Sequence, residues 1–370
     1  MSEKLTIRNF GPIQEVELDL KSVNIFIGDQ GTGKSTIAKL YSVIKLFLTV
    51  RFLNIEDSSV EDDDNWQFHQ YLNQVEIESY FNPNTYFYYY NSRLGIELKY
   101  ENSLVYRNSN SYSLAIPSFT YIIAERVYVS TLSDALYGLI ETGAKLPTLF
   151  NRFGNKYSSA KKEKNISRYK DIIGVDFSHL NGVDNIITAD DKTIPLSVGS
   201  SGIQGIVPLL VVLDSVVSRI SSNKRNGINP DNLLIIEEPE LNLFPLTQQK
   251  ILNYIIGNNF DFADEKPLKK LFKNQLLIST HSPYILTSLN NLMYAFETGR
   301  HNEDDVSKIV QEKYWVNPLD VSVYRLFIDG TCENIMDEDL KQIKVEKIDE
   351  ISDILSKQWH ELADLNFASK

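Results

Sequence analysis

The sequence predicts an α/β fold: a mixed sheet flanked by helices, extended by an antiparallel β-subdomain and a helical lobe. Three observations predict it. A glycine-rich loop of the form G-x-x-x-x-G-K-S, Gly28-Asp29-Gln30-Gly31-Thr32-Gly33-Lys34-Ser35, stands between a short apolar strand (Val23 to Ile27) and a helical pattern opening at Thr36. Two later aliphatic runs, Leu233 to Ile236 and Gln275 to Thr280, have the length and composition of strands buried on both faces of a parallel sheet. Between the loop and those runs, Thr85 to Tyr90 and Gly95 to Tyr106 alternate aromatic and polar residues, with turns at Asn91-Ser92 and Asn102-Ser103, as antiparallel strands do.

The glycine-rich loop carries the chemistry. Its glycines reach backbone angles closed to other residues, so successive N–H groups can converge on one anion, and the following helix adds its positive end. Lys34 is placed to neutralise β- and γ-phosphate oxygens, and the Ser35 hydroxyl to ligate Mg²⁺. Asp29, Gln30, Gly31, Thr32, Gly33 and Thr36 complete the expected ATP-binding segment.

At 370 residues and 42 % hydrophobic content the chain can bury a large core. It reads as one domain in five parts: 1–54 (hairpin and phosphate loop), 55–126 (insert and β-subdomain), 127–225 (helical lobe), 226–297 (second core half) and 298–370 (C-terminal strands and helix). A single cysteine, Cys332, rules out a disulfide framework or a cysteine-based metal site. Met1 to Lys4 lead straight into a strand without an apolar leader, and the most apolar run, Ile206 to Val217, holds Pro208 and Asp214 and is too short to cross a bilayer. A cytoplasmic protein with no membrane partner is expected. The net charge of −12 speaks against a uniformly basic nucleic-acid surface and leaves a local one open.

In chain order, Lys4 to Phe10 and Glu15 to Leu20 alternate around Gly11-Pro12 and form a hairpin. Asn9, Phe10 and Gly11 are candidates to lie beside the adenine, although residue type suits Phe10 at least equally to the core. Glu61-Asp62-Asp63-Asp64 reads as a solvated loop. Tyr86 to Tyr90 could stack on bases, but no lysine or arginine is interleaved, which favours sheet packing. Tyr121 to Ala124 is a buried strand ending in Glu125-Arg126, followed by helical patterns from Ser133 through Leu149. Lys156, Lys161, Lys162, Lys164, Arg168 and Lys170 form one basic cluster, a solvated face by default and a phosphate contact in the minority reading. No sustained heptad leaves the domain.

Gly199 to Gln204 places small residues at the entrance of the apolar helix Ile206 to Ile220, a second anion-binding terminus. Leu233-Leu234-Ile235-Ile236 delivers Glu237-Glu238-Pro239-Glu240 to a sheet edge, as a Walker B strand does. Glu237 can hold Mg²⁺, and Glu238 can orient and polarise the water that attacks the γ-phosphate. Gln275 to Thr280 delivers His281-Ser282-Pro283, and a histidine there is a candidate sensor of the γ-phosphate.

The order phosphate loop, Ser201-Gly202-Ile203-Gln204, Glu237-Glu238, His281 resembles that of ABC-type ATPase heads over roughly Leu5 to Asn291. The strings Leu5 to Ile13, Ala124-Glu125-Arg126, Ser200 to Gln204, Ile236 to Glu240 and Ser279 to Pro283 resemble the ATPase part of the OLD (overcoming lysogenization defect) family of bacterial antiphage systems. The resemblance implies a homodimer or higher homo-oligomer that sandwiches ATP. Ser201 and Gly202 of one copy, with Gln204, would meet the γ-phosphate held by Lys34 of the other, and Glu238 would hydrolyse it. It also implies a separately encoded effector, a nuclease, because OLD nucleases carry a C-terminal Toprim domain. Only about eighty residues follow His281-Ser282-Pro283 here, too few for a typical domain. Those residues read as strands at Leu292 to Phe296, Val306 to Trp315 and Val321 to Phe327. A final amphipathic helix then carries Ile348, Ile351, Leu355, Trp359 and Leu362 on one face packed on the sheet. No Q-loop glutamine follows the β-subdomain. A RecF-like repair ATPase binding DNA directly and a small-molecule kinase are the alternatives.

Overall fold

A computed structural model of the protein describes residues 3–53, 64–108, 118–131, 145–163, 166–225, 232–259, 274–344 and 356–362. The central sheet has six strands in the order β15-β14-β3-β13-β12-β7. These are β3 (Val23–Gly28), β7 (Ser118–Ile122), β12 (Asn232–Glu237), β13 (Asn274–Thr280), β14 (Val321–Leu326) and β15 (Cys332–Asn334). All pair in parallel except β15, which runs antiparallel at the edge. The apolar runs are what a sheet covered on both faces requires, and Ile25, Phe26, Ile235, Ile236, Leu277 and Ile278 are fully buried. Each such side chain contributes about 1.5–3 kcal/mol relative to exposure.

The second sheet is wholly antiparallel, in the order β2-β1-β4-β5-β6. It joins the N-terminal hairpin, β1 (Glu3–Phe10) and β2 (Ile13–Leu20), to β4 (Tyr86–Asn91), β5 (Ile96–Glu101) and β6 (Ser103–Asn108). The expected hairpin and aromatic subdomain are therefore one sheet, with β1 pairing β4 from Glu3↔Asn91 to Arg8↔Tyr86. Tyr86 to Tyr90 belong to its packing, with Phe87 and Tyr89 facing the core.

Helix α1 (Lys34–Leu53) lies between the two sheets. Its Tyr41 hydroxyl donates to Glu3 Oε1 at 2.6 Å, and Lys45 Nζ reaches the same carboxylate at 2.8 Å. Tyr89 of β4 and Gln275 of β13 donate to it as well, each at 2.7 Å. Burial alone would raise Glu3, but the Lys45 charge and the hydrogen bonds from Lys45, Tyr41 and Tyr89 together hold it down at about 2. One buried carboxylate thus locks the phosphate-loop helix to both sheets. Helix α2 (Asp64–Gln74) packs against α1, and Glu61 to Asp63 of the acidic run lie outside the described residues.

The lobe departs from expectation. It holds helices α3 (Val127–Thr131), α4 (Thr148–Ala160), the short α5 (Lys170–Ile173) and α6 (Ser201–Arg225). It also holds an antiparallel sheet of β8 (Ile166–Ser167), β9 (Asp176–Leu180), β10 (Val183–Ile187) and β11 (Thr193–Pro195). Those strands are too short and too half-exposed to show an apolar period. Most of the helical pattern expected from Ser133 lies outside the described residues; its end falls in α4. Helix α6 is longer than its apolar run, and over Ser201–Ser222 it is long and apolar enough to span a membrane. It is a core helix here, 61 % buried over that window, with Leu209, Leu210 and Leu213 inaccessible.

The last segments are α7 (Pro245–Asn259), α8 (Pro283–Ile309) and the small hairpin β16 (Met336–Asp337) and β17 (Gln342–Ile343). Leu292 to Phe296 and Val306 to Ile309, expected as strands, belong to α8. Its buried Ile285, Leu286, Leu289, Leu292 and Met293 follow helical spacing, which a short window does not reveal. Val321 to Leu326 is a strand as expected. Ile348, Ile351 and Leu355 lie outside the described residues; Trp359 and Leu362 are more than half exposed, so these two are not packed on the sheet.

Candidate nucleotide site

Register brings the sequence motifs to one edge. β13 runs between the phosphate-loop strand β3 and the Walker B strand β12, with Glu237 opposite Ser279 and Ser279 opposite Phe26. Two residues further along the chain from these positions stand Gly28, His281 and Pro239, so the loop, the histidine and the acidic turn emerge side by side at the carboxyl ends of the strands.

In the phosphate loop Gly28, Gly31 and Gly33 all have positive φ, at 156°, 78° and 96°. Gly28 is also required by space, since a Cβ there would meet the Leu326 carbonyl of β14 at 2.4 Å. Lys34 Nζ donates to the carbonyls of Gly28 and Asp29 at 2.6 and 2.7 Å, and Thr32 Oγ1 closes the loop on Asp29 at 2.8 Å. Burial lowers Lys34 to about 8, against the raising charges of Glu238, Asp29 and Glu240. Asp29, Gln30, Gly31 and Ser35 are exposed; Thr32, Gly33 and Thr36 are buried.

Glu237 is buried at the end of β12, where its Oε1 accepts the Tyr121 hydroxyl at 2.8 Å and its Oε2 the Ala124 N–H at 3.3 Å. Burial raises it, hydrogen bonds from Ser35 and Tyr121 lower it, and Glu125 raises it again, for a net upward shift. A buried carboxylate bonded to the phosphate-loop serine, and held above its ordinary range, fits a divalent cation, whose charge would remove the cost of ionising it. Among the described residues no group of three or more His, Cys, Asp and Glu is placed to hold a metal, so phosphate oxygens and water would complete the sphere.

Glu238 sits at φ +44°, a left-handed conformation that costs a non-glycine residue about 1–3 kcal/mol. Its carboxylate stands 3.3 Å from His281 Nε2, and both side chains are partly open to solvent. The turn that follows is held by Glu240, whose Oε1 accepts the Thr280 hydroxyl at 2.6 Å and the His281 N–H at 2.8 Å.

Arg126 was not anticipated as a site residue. It is fully buried, and its guanidinium donates to four carbonyls: Ile123 (3.1 Å), Gly205 (3.0 Å), Glu237 (2.8 Å) and Glu238 (2.7 Å). It therefore ties the end of β7, the acidic turn and helix α6 together. Burial lowers it to about 10 despite Glu240, Glu238, Glu237 and Glu125. Ser130 makes a parallel link, donating to the Gln204 carbonyl at 2.8 Å. Pro208 lacks the N–H that would have served that carbonyl within the helix.

At the start of α6 Ser201 is exposed, and its hydroxyl has no hydrogen-bond partner among the described residues. Gly202 is pressed against the turn after the acidic residues, where a Cβ would stand 2.5 Å from the Asn242 carbonyl. Gln204 differs from expectation: its amide donates to Ser197 and Gly199 at 2.8 and 2.7 Å, so it props the turn instead of reaching a ligand. Phe10 also differs. It is fully buried in edge-to-face contact with Tyr80, Phe81 and Phe87, which leaves no ring face for a base. Asn9 stays exposed with φ +51°, and its carbonyl accepts from Asn82 and Thr85.

A phosphate loop, a buried Walker B carboxylate and a second carboxylate paired with histidine on one parallel-sheet edge define a P-loop ATPase. The sequence model of the family described as AAA ATPase domain matches residues 1–171 and 126–286, so the chain belongs to that family. No curated protein matches the sequence. Among solved structures, the SMC head domain from Thermotoga maritima is similar at 12 % identity, covering 78 % of this chain and 91 % of that one, with a TM-score of 0.38. An SMC head bound to the C-winged helix domain of ScpA is similar at 12 %, covering 90 % and 97 %, with a TM-score of 0.40. The recombination mediator RecF with ATP is similar at 13 %, covering 90 % and 99 %, with a TM-score of 0.38.

Proposed function

We propose that the chain is an ABC-type ATPase head that closes into a homodimer, or a higher homo-oligomer, around ATP, and that this closure governs a separately encoded effector nuclease in antiphage defence. The observation that carries the dimer is Ser201. It is exposed at a helix start with a hydroxyl that has no partner among the described residues, while Gly202 beside it is anchored to the turn that follows Glu238. Such a terminus offers an anion site to a phosphate. Lys34 would take the β- and γ-phosphate oxygens, and Glu238 would orient the attacking water, with His281 beside it. Ser35 and Glu237 would hold Mg²⁺, which supplies charge neutralisation at the phosphates. The effector reading rests on the OLD-like strings Ile236 to Glu240 and Ser279 to Pro283.

A RecF-like reading needs a basic strip for DNA, and much of the cluster is committed elsewhere. Lys161 is paired with Asp184 and Lys170 with Asp191. Lys164 lies outside the described residues.

The test is Glu238→Gln with ATP and Mg²⁺, followed by light scattering after size exclusion. Hydrolysis is expected to fall by about 10²–10⁴-fold while an ATP-dependent dimer accumulates, and Ser201→Arg is expected to abolish that dimer. A monomer at saturating ATP would refute the clamp. Tight, salt-sensitive binding of double-stranded DNA would favour the repair reading.

A further inference from the structure

A groove of about 620 Å³ opens between α4 and α6, away from the residues of the nucleotide site. Its polar lining includes Asn155, Lys156 and Glu163 on one side and Ser218, Arg219 and Ser222 on the other. That volume falls in the range of small-molecule sites. Its charge is unbalanced. Among the described residues Arg219 is exposed and makes no ion pair, and Arg152, one helical turn before Lys156, donates to the neutral Gln74 oxygen at 2.7 Å. Glu163, the one carboxylate of the lining, accepts the Ser215 hydroxyl at 2.8 Å. Burial first, then the neighbouring charges of Arg219 and Arg152, push Lys156 down to about 7.

We propose that this groove is a binding site for a small, multiply charged anion such as a phosphorylated metabolite, with Arg219 and Lys156 as its charge partners and the hydroxyls of Ser218 and Ser222 as hydrogen-bond donors. The site is wired to the ATPase centre. Lys156 Nζ donates to the Phe119 carbonyl at 3.0 Å and to Thr120 Oγ1 at 2.7 Å, and the next residue on that strand is Tyr121, whose hydroxyl holds Glu237. An anion that draws Lys156 into the groove loosens its hold on β7 and so reaches the Walker B carboxylate. A small anion fits better than a nucleic-acid backbone, because the neighbouring Lys161 and Lys170 are already paired with Asp184 and Asp191.

Isothermal titration of full-length Lys34→Ala protein with inorganic pyrophosphate at low salt tests this, since the phosphate loop then lacks its cation. Saturable binding to one site is expected, weakened at least tenfold by adding Arg219→Glu. Arg219 is exposed, so that change leaves the fold intact, which an unchanged thermal melt verifies. No binding by Lys34→Ala, or equal affinity with and without Arg219→Glu, overturns the proposal. Displacement of the pyrophosphate by a single-stranded oligonucleotide that binds more tightly overturns it too, in favour of a nucleic-acid face. ATP binding by the unmodified chain is a separate measurement, so failure here leaves the nucleotide site standing.

Discussion

Arg126→Met is the most informative single change. The buried guanidinium donates to the carbonyls of Ile123, Gly205, Glu237 and Glu238 at 2.7–3.1 Å. Bonds from a charged donor are worth about 1.5–3 kcal/mol each. They do not simply add, because burying the guanidinium carries its own desolvation cost. Removing one member of a buried charged constellation costs about 3–5 kcal/mol, and methionine recovers part of that by filling the space. The kinetic effect should be sharper than the loss of stability. Arg126 holds the Glu238 carbonyl, and Glu238 is kept at φ +44°. Once released, the turn relaxes and its carboxylate drifts from His281. A misplacement of about 1 Å costs on the order of 10²-fold in rate. We therefore expect kcat for ATP hydrolysis to fall about 10²-fold from that displacement, with KM for ATP hardly changed because, among the described residues, no Arg126 bond reaches the phosphate loop. Arg126→Lys should fall between, since one ammonium cannot serve four carbonyls. The assay is steady-state phosphate release beside equilibrium binding of a fluorescent ATP analogue. Wild-type kcat in a folded Arg126→Met protein, or equal losses of binding and turnover, would refute the reasoning.

Lys34→Ala should abolish measurable ATP binding in the same fluorescence assay, and retention of micromolar affinity would remove the lysine from the phosphate site. Gly202→Ala introduces a Cβ 2.5 Å from the Asn242 carbonyl. It should displace the start of α6 and suppress ATP-dependent dimerisation more than it lowers the melting temperature, and a dimer of normal affinity would count against the Ser201–Gly202 contact. The Glu3 network makes stability depend on acid. Its folded pKa of about 2 lies below the ordinary 4.5, so between these values the unfolded chain binds more protons. Its contribution is complete above pH 4.5 and is lost as pH falls toward 2. Melting temperature should drop across that window, and Glu3→Gln, already less stable because Lys45 loses its partner, should show a flatter profile. An unchanged slope would show that other carboxylates govern acid unfolding.

Much of the site could be read along the chain because its parts are contiguous. A phosphate loop needs glycines, a lysine and a hydroxyl within eight residues, and Gly28 to Ser35 supply them together. Leu233 to Ile236 and Leu276 to Ile278 are apolar at every position, which marks strands buried on both faces and places Glu237, Glu238 and His281 at their ends. The β9–β10 pair, alternating weakly over five residues each, gave no such mark.

Other features were settled only when distant segments closed on one another. An arginine after a strand reads as a surface residue, and its burial depends on carbonyls from residues 123, 205, 237 and 238 meeting in one place. Phe10 became core because Phe81 and Phe87, more than seventy residues away, surround it. Lys156, counted with a basic run, turned inward to β7. Local motif chemistry is written in neighbouring residues, but the environment of a charge or a ring is set by whatever the fold packs beside it. Neighbouring residues therefore specify which groups can handle a triphosphate, and long-range packing sets which charges are held inside and what holds them.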